Sequence, residues 1–290
     1  GQGNASTFVQ IAGEILCQPV ERMELVQPDT ERTHPSGSSA AGRTTYTYGQ
    51  ALIRACEELK TRLTHRAAML LLVDRPEELT LLPGRIDHLP GGKSLPIETL
   101  AAMLPDGDRT CIGQYTMPVA ESTPESGRVF EIGFPHILFS YGAHLVRVEM
   151  DELTGEVRVA DYLTVTDAGR RLNPDLYEQQ VQGAVAQGLG YALCEEIQTR
   201  DGRIVNPDFT TYILPTAVDL PDIACQAVDT LEPSGPYGMK GVGEVAINGP
   251  LPAVAAALAD AAGLRLAAAP LTPERILAAW RRASDEGGPA

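Results

Sequence analysis

The amino-terminal part of the chain contains two stretches in which apolar residues recur at helical spacing. In the first, Phe8, Ile11 and Ile15 fall on one face, and the pattern predicts a helix over residues 4–17. In the second, leucine and alanine line one face over residues 48–63, with acidic residues outside it. Both stretches therefore predict helices that bury one face against a core.

The segments around these helices carry weaker patterns. Residues 23–26 predict a short strand, whereas residues 29–46 are polar, rich in small side chains and without a helical or strand period. A segment of that length with no period of its own is usually functional or disordered. Residues 64–127 are punctuated by glycine and proline, and they predict short strands, surface loops and a helix near 97–103.

Alternation of apolar and polar residues replaces the helical period after residue 143. It runs to residue 166 with a turn at 151–155, and this pattern predicts a β-hairpin. A shorter hairpin near 196–204 and a strand at 223–231 follow along the chain. The second half of the chain therefore carries most of the predicted sheet.

Small residues mark the helix that is predicted to begin at Asn173. Gly183 and Gly188 lie on it among alanines, so we expect this helix to pack closely against another backbone or a cofactor. Alanine-rich helices are predicted at 252–262 and 273–282. Together the elements predict an α+β protein in which mixed and antiparallel sheets are flanked by helices.

The composition is that of a globular protein with room for more than one core. The chain has 290 residues, of which 43% are hydrophobic and 21% charged, enough for a large domain or two lobes. We predict a first α/β lobe at residues 1–127 and a second at 128–290. The second lobe would contain the glycine-rich loop near residue 240 and the C-terminal helices.

Charge and hydropathy exclude several classes of partner. The formal net charge of −15 argues against nucleic acid, because the phosphates would be repelled and no basic patch longer than Arg281-Arg282 is present. No apolar run is long enough to cross a bilayer, and no charged leader precedes an apolar stretch. These features predict a cytoplasmic protein without a membrane partner.

The cysteine and histidine pattern argues against a metal held by side chains of this chain. Five cysteines are scattered without any C-x-x-C pair, which disfavours a disulfide framework, a zinc site or an iron–sulfur cluster. The five histidines are equally dispersed. The cysteines are interpreted as buried thiols in a reducing compartment.

The segment from Gly238 to Glu244 places one carboxylate among glycines. Glycine lets a backbone approach a bulky group closely, so an acid held there is placed to meet a ligand, and Glu244 is the candidate catalytic base. Taken alone, the motif is more often a solvated glutamate in an ordinary turn. The other motifs of the chain decide between these interpretations.

Two further segments resemble sites for an anion or a polar ring. Gly1-Gln2-Gly3 directly precedes a helix and would present backbone N–H groups to an anion, although a simple turn with an N-cap has the same pattern. Residues 36–45 combine hydroxyls, glycines and Arg43, which suits a phosphate or heterocycle but also a flexible linker.

Three polar residues of the second half have both structural and functional interpretations. Gln187, on the small-residue helix, is predicted to be buried, where its amide needs hydrogen-bond partners from a cofactor or from the backbone of a packed helix. Asp167 and Asn173 more often cap turns and helices than carry chemistry.

The order of these segments resembles the carboxy-terminal part of the molybdenum-binding subunit of the molybdenum hydroxylases, the family of xanthine dehydrogenase and aldehyde oxidoreductase. The resemblance spans the chain from Gly1 to about Trp280 and includes the segment 212–221. Each motif is short, but the ordered set is specific. The motifs are Gly1-Gln2-Gly3 with Gln10-Ile11-Ala12, Ser38-Ser39-Ala40-Ala41-Gly42-Arg43, Asp167-Ala168-Gly169 with Leu172-Asn173-Pro174, Gln187-Gly188-Leu189-Gly190, and Lys240-Gly241-Val242-Gly243-Glu244.

The resemblance implies a two-lobed molybdenum-cofactor-binding domain. The cofactor would be molybdopterin or molybdopterin cytosine dinucleotide, whose sulfurs hold the molybdenum, so the protein supplies no direct metal ligand. Gln2 would hydrogen-bond near the metal or pterin, and Ala40 and Ala41 would face the substrate. The residues implied to contact the cofactor are Gln2, Gly3, Ser38, Ser39, Ala40, Ala41, Gly42, Arg43, Thr44, Gln187, Lys240, Gly241, Val242 and Gly243.

The resemblance also implies a reaction. Glu244 would take the proton from a molybdenum-bound hydroxyl as that oxygen attacks an electron-poor carbon of an N-heterocycle or aldehyde, while hydride passes to a sulfido ligand. A carboxylate in a partly desolvated loop has a raised pKa that suits general-base work. Electrons would leave through 2Fe–2S and FAD modules elsewhere, because this chain has neither the cysteines nor a dinucleotide fingerprint.

Two departures from the family pattern qualify these expectations. The family often has serine where this chain has Gly42, so one cofactor hydrogen bond could be missing. The family's upstream molybdenum-domain segments are also absent, so we expect a partner: the missing half, in the same or a separate chain, within a homo-oligomeric complex. The alternative is a cofactor-free structural or binding domain. A hydrolase is disfavoured because no Gly-x-Ser-x-Gly elbow is present.

Overall fold

The computed structural model divides the chain into two compact units. The first is Gly1–Leu138 with Glu232–Met239, and the second is Phe139–Leu231 with Lys240–Ala290. The lobe boundary predicted at 127/128 lies outside the described residues and stays a prediction. The structure describes residues 1–26, 28–40, 42–118 and 138–285.

The first unit is built on two packed helices and a small antiparallel sheet. Helix α1 packs along α2, and the sheet has the strand order β1-β2-β3. The elements are α1 (Asn4–Leu16), α2 (Thr44–Leu71), β1 (Leu79–Leu82), β2 (Arg85–His88), β3 (Lys93–Pro96) and α3 (Ile97–Ala102).

Helix α2 is much longer than its apolar pattern predicts, and one predicted strand is not formed. Leu63 and Ala67 of α2, one turn apart, are buried against Ile86 of β2 and Leu100 of α3, so this packing continues the helix beyond residue 63. The strand predicted at 23–26 is wrong. A short 3-10 turn, Val20–Arg22, precedes those residues, and they pair with no described strand.

The second unit contains a three-stranded mixed sheet covered by helices. Strands β4 and β5 form the predicted antiparallel hairpin, and β8 joins β5 in parallel through a crossover that takes up residues 168–222. The elements are β4 (Gly142–Met150), β5 (Val157–Asp167), α4 (Pro174–Leu193), β6 (Thr199–Arg200), β7 (Arg203–Ile204), β8 (Ile223–Val228), α5 (Pro250–Ala262) and α6 (Pro273–Asp285). The α+β class with mixed and antiparallel sheets is confirmed.

The core of the second unit lies between its sheet and its helices. Tyr162 of β5, Val185 of α4, Leu258 of α5 and Ile276 of α6 are all at most 2% exposed and belong to one cluster. Burying each such side chain stabilises the fold by about 1.5–3 kcal/mol. No described helix combines the length and apolarity that crossing a membrane requires.

Helices α4 and α5 approach closely because α4 carries a glycine at the contact. A Cβ on Gly188 would lie 2.4 Å from Cγ of Pro250, the first residue of α5. The same helix carries Gly183, where a Cβ would meet nothing within 4 Å. The prediction that small residues on this helix permit close packing is therefore confirmed at Gly188, where the neighbouring group is the ring of Pro250.

The two glycines provide a matched test of this contact. We predict that Gly188→Ala lowers the free energy of unfolding by about 1–3 kcal/mol, because the added methyl group overpacks the contact with Pro250. Gly183→Ala should instead stabilise by about 0.5–1 kcal/mol, since alanine loses less backbone entropy in a helix. Urea denaturation of both variants measures the difference, and equal effects would contradict the packing argument.

Candidate functional site

Within the first unit, the first turns of α1 and α2 lie side by side. The hydroxyl of Thr45, in the first turn of α2, donates to Oδ1 of Asn4, the first residue of α1, at 3.0 Å. This contact brings the turn containing Gln2 and Gly3 next to the loop that leads into α2. Two of the predicted cofactor segments therefore form one surface within this unit.

Both helix N-termini in this surface have favourable electrostatics for an anion. Neither α1 nor α2 has a side-chain cap, and neither has an acidic residue in its first turn. The first backbone N–H groups of a helix have no partner within the helix, and the helix dipole makes that end positive. Two such ends side by side can bind the phosphate or polar ring of a ligand.

The loop before α2 adds hydroxyl groups to this surface. Arg43 donates from Nη2 to Oγ of Ser38 at 3.1 Å, and the hydroxyls of Ser39 and Thr44 lie 2.6 Å apart. Ser38, Ser39 and Ala40 are exposed, as is Gln2. Ala41, predicted to face the substrate, lies outside the described residues.

Gly42 adopts a backbone conformation that favours glycine. Its φ is 62°, in the left-handed region, where a Cβ crowds the following carbonyl oxygen. The serine that the resemblance leads one to expect at this position would therefore be strained in this chain. The glycine is explained by the local turn.

Substitution of Gly42 tests this assignment. We predict that Gly42→Ser lowers the free energy of unfolding by about 1–2 kcal/mol, because serine pays the left-handed penalty. Gly37→Ser in the same loop is the control, since Gly37 has no left-handed φ and an added Cβ would meet nothing within 4 Å. Thermal denaturation should show a loss for Gly42→Ser alone, and a similar loss for both variants would count against the explanation.

In the second unit, Lys240 fixes the start of the glycine-rich loop. Its side chain is 7% exposed, and Nζ donates to Oδ2 of Asp167 at 2.7 Å. Its backbone N–H donates to the carbonyl oxygen of Ala168 at 2.9 Å. The hydroxyl of Ser140 adds a third attachment by donating to the carbonyl oxygen of Gly241 at 2.8 Å.

Asp167 and Asn173 have the capping roles that their sequence context predicts. Oδ1 of Asp167 accepts from the N–H of Gly169 at 3.2 Å, and Oδ1 of Asn173 accepts from the N–H of Leu176 at 3.1 Å, capping α4. Asp167 has the additional ion pair with Lys240, which the sequence did not reveal because 73 residues separate the partners.

The middle of the glycine-rich loop presents Glu244 to solvent. Val242 and Ala246, on either side of it, pack against a cluster that includes Tyr177 and Val181 of α4, and Ala246 is fully buried. Glu244 itself is exposed, and no hydrogen bond from a described residue holds its carboxylate. The resemblance implies a partly desolvated loop, whereas the carboxylate faces solvent in the described part of the chain.

His144 supports the far end of the same loop. Its Nδ1 is 2.7 Å from the hydroxyl of Tyr162, and a Cβ on Gly249, the residue before α5, would lie 2.0 Å from the imidazole. Burial lowers the pKa of His144, because the charged form loses its hydration there. The neutral imidazole therefore packs against the start of α5.

The lowered pKa of His144 predicts a pH-dependent stability. Below about pH 6.5 the unfolded chain binds a proton that the folded chain resists, so the free energy of unfolding falls as the pH falls through this range. We predict that the melting temperature drops less between pH 7.5 and pH 5.5 in His144→Gln than in the wild type. His65→Gln, an exposed position on α2, should keep the wild-type slope; identical slopes in all three proteins would contradict the prediction.

The predicted burial of Gln187 is wrong. Buried residues of α4 recur at Val181, Ala184, Gly188 and Ala192, and this helical period leaves Gln187 exposed on the opposite face. Its amide is therefore open to solvent or to a ligand, and it needs no partner inside the protein.

Gln180, which the sequence interpretation missed, lies beside the glycine-rich loop. Its Nε2 would be 3.7 Å from a Cβ on Gly243, the residue before Glu244. Gln180 is half-buried and lies two turns before Gln187 on α4. Because two helical turns separate Gln180 from Gln187, the helical period places both on the same side of α4, and this spacing is the sequence signal for Gln180.

Comparison with known proteins assigns this chain to a family. A family model described as the molybdopterin cofactor-binding domain matches residues 1–221. The chain belongs to this family. The predicted resemblance to the molybdenum hydroxylases is confirmed, and the surface formed by the two helix N-termini is within the matched range.

Individual relatives cover nearly the whole chain. A probable xanthine dehydrogenase subunit of Bacillus subtilis (strain 168) is 31% identical over 282 residues, which are 97% of this chain and 36% of the relative. The aldehyde oxidoreductase molybdenum-binding subunit PaoC of Escherichia coli (strain K12) is 31% identical over 281 residues, 96% of this chain and 35% of the relative. The chain thus spans about a third of the length of these curated relatives.

A solved structure confirms the fold. The crystal structure of quinoline 2-oxidoreductase from Pseudomonas putida 86 aligns with a TM-score of 0.78 at 28% identity, covering 97% of this chain and 35% of that one. The resemblance implies that the pterin holds the metal, so the protein groups expected to bind the cofactor are N–H and hydroxyl donors. The uncapped N-termini of α1 and α2 and the hydroxyls of Ser38 and Ser39 are donors of this kind.

Proposed function

We propose that this chain is a component of a molybdopterin-dependent hydroxylase that oxidises an N-heterocycle or an aldehyde, with Glu244 as the general base. The observation that carries the proposal is the Glu244 loop, whose flanking residues are held by Asp167 and by the α4 cluster while the carboxylate faces solvent. A carboxylate on a fixed backbone, without a hydrogen-bond donor among the described residues, is available to accept a proton.

The cofactor proposed here is molybdopterin or its cytosine dinucleotide. When bound, it supplies the redox chemistry that amino-acid side chains lack. The N–H groups at the starts of α1 and α2, with the hydroxyls of Ser38, Ser39 and Thr44, would bind its anionic and polar groups. Gln2, which is exposed in the same unit, would donate from its amide.

Glu244 would act on water. Its carboxylate would accept a proton at an Oε atom from the water-derived oxygen that attacks the electron-poor carbon of the substrate. The exposed carboxylate would meet the substrate at a place where neighbouring polypeptide excludes bulk water.

Further polypeptide would complete the enzyme. The relatives are about three times as long as this chain, and we propose that segments equivalent to their remaining length, in the same or a separate chain, finish the cofactor and substrate pockets. Modules with 2Fe–2S and FAD groups would take the electrons, as the family resemblance implies.

Substitution of Glu244 in the complete enzyme tests the catalytic role. We predict that Glu244→Gln lowers kcat by about 10²–10⁴-fold, because the amide cannot accept the proton, while molybdenum and pterin contents stay at wild-type levels. Glu152→Gln, an exposed glutamate in the β4–β5 turn, is the control and should leave kcat unchanged. Steady-state kinetics and metal analysis measure both properties.

The outcomes separate the proposed enzyme from the alternative of a cofactor-free structural domain. Normal turnover in Glu244→Gln would remove the catalytic role of this residue. Absence of molybdenum and of pterin from protein purified with its natural partners would overturn the hydroxylase proposal as a whole and favour the structural domain.

A further inference from the structure

The Asp167–Lys240 ion pair is buried to an extent that needs an explanation. The two side chains are 10% and 7% exposed, and their charged atoms are 2.7 Å apart. Removing two charges from water costs free energy that their attraction only partly offsets, and apolar pairs of similar size often serve stability as well. A buried pair therefore contributes most where it fixes one geometry.

This pair joins the end of β5 to the start of the Glu244 loop. Asp167 is the last residue of β5, and its N–H donates to the carbonyl oxygen of Tyr141 at 2.7 Å. Lys240 reaches this rigid strand end twice, through its ammonium to Asp167 and through its backbone N–H to Ala168. Its side chain and its backbone are therefore both fixed, four residues before Glu244.

We propose that Asp167 and Lys240 are positioning residues for Glu244. The ion pair sets where the loop leaves the sheet, and the packing of Val242 then leaves Glu244 pointing to solvent. The Lys240 ammonium is directed to Asp167, so its contribution is to the loop and not to a cofactor phosphate. The catalytic consequence rests on the proposed function, whereas the effect on loop order does not.

The competing explanation is that the pair only stabilises the second unit. Three variants of the full chain separate the two: Asp167→Asn, Lys240→Met, and the double variant. Each single variant leaves one buried polar group without its charged partner and should unfold at a temperature lower by about 5–10 °C. The double variant leaves no unpaired charge, and the amide oxygen introduced by Asp167→Asn can still accept from the N–H of Gly169, so most of the lost stability should return.

Hydrogen–deuterium exchange of the backbone amides from Gly241 to Ala246 provides the deciding measurement. If the pair positions the loop, these amides should exchange about tenfold faster in the double variant than in the wild type, although the melting temperature has recovered. Glu196→Gln, which removes the half-exposed Arg275–Glu196 pair of the same unit, should leave exchange in the loop unchanged.

Wild-type exchange in the loop of the double variant would overturn the proposal and leave the pair as a stabilising contact only.

In the complete enzyme, the double variant should lower kcat about tenfold or more with little change in KM, because substrate binding does not use this pair. If Glu244→Gln proved fully active, the proposed role of Glu244 as base would fail, yet the exchange result would still show whether the pair orders the loop.

Discussion

A buried charge is tolerated only with its partner, and this constraint organises the part of the second unit that contains Glu244. Asp167 ends a core strand, and Lys240 begins the loop that contains Glu244. Because neither charge can remain buried alone, the strand end and the loop must come together whenever the unit is folded. The packing of Val242 and Ala246 against α4 and the contact of His144 with Gly249 then fix the rest of the loop.

In the first unit, the N-termini of α1 and α2 present hydrogen-bond donors and carry no negatively charged side chain in their first turns. The chain carries a net charge of −15, yet neither α1 nor α2 has an acidic residue in its first turn. A ligand with phosphate groups would be repelled by most of such a protein and attracted to these helix ends. The Asn4–Thr45 hydrogen bond keeps the two ends adjacent.

Local patterns predicted the elements well, and long-range contacts explain the errors. The β4–β5 hairpin, α1 and the helix that begins after Asn173 follow from periodicity and capping, which are properties of neighbouring residues. Three features do not follow from short sequence patterns. The length of α2 and the partner of Lys240 depend on residues distant in sequence, and the left-handed conformation of Gly42 depends on backbone geometry. Gln187 is exposed although Gly188 next to it is buried, because the two residues lie on different faces of α4, and composition alone does not distinguish those faces. Glu244 could be singled out only because several weak motifs occur in one order.

The parallel pairing of β8 with β5 affects the order in which this protein folds. A hairpin can close as soon as its turn forms, whereas β8 can pair with β5 only when the chain closes over the intervening residues 168–222. Contacts between residues far apart in sequence form slowly, because the entropy of closing the chain is lost before any pairing is gained. At the end of this pairing, the backbone N–H of Ala168 donates to the carbonyl oxygen of Val228, the last residue of β8. The carbonyl oxygen of the same Ala168 accepts from the backbone N–H of Lys240, so β8 helps to hold the acceptor of Lys240 in place. The Glu244 loop can therefore be fully ordered only once the sheet has closed, because the backbone acceptor of Lys240 is held by the strand that closes it.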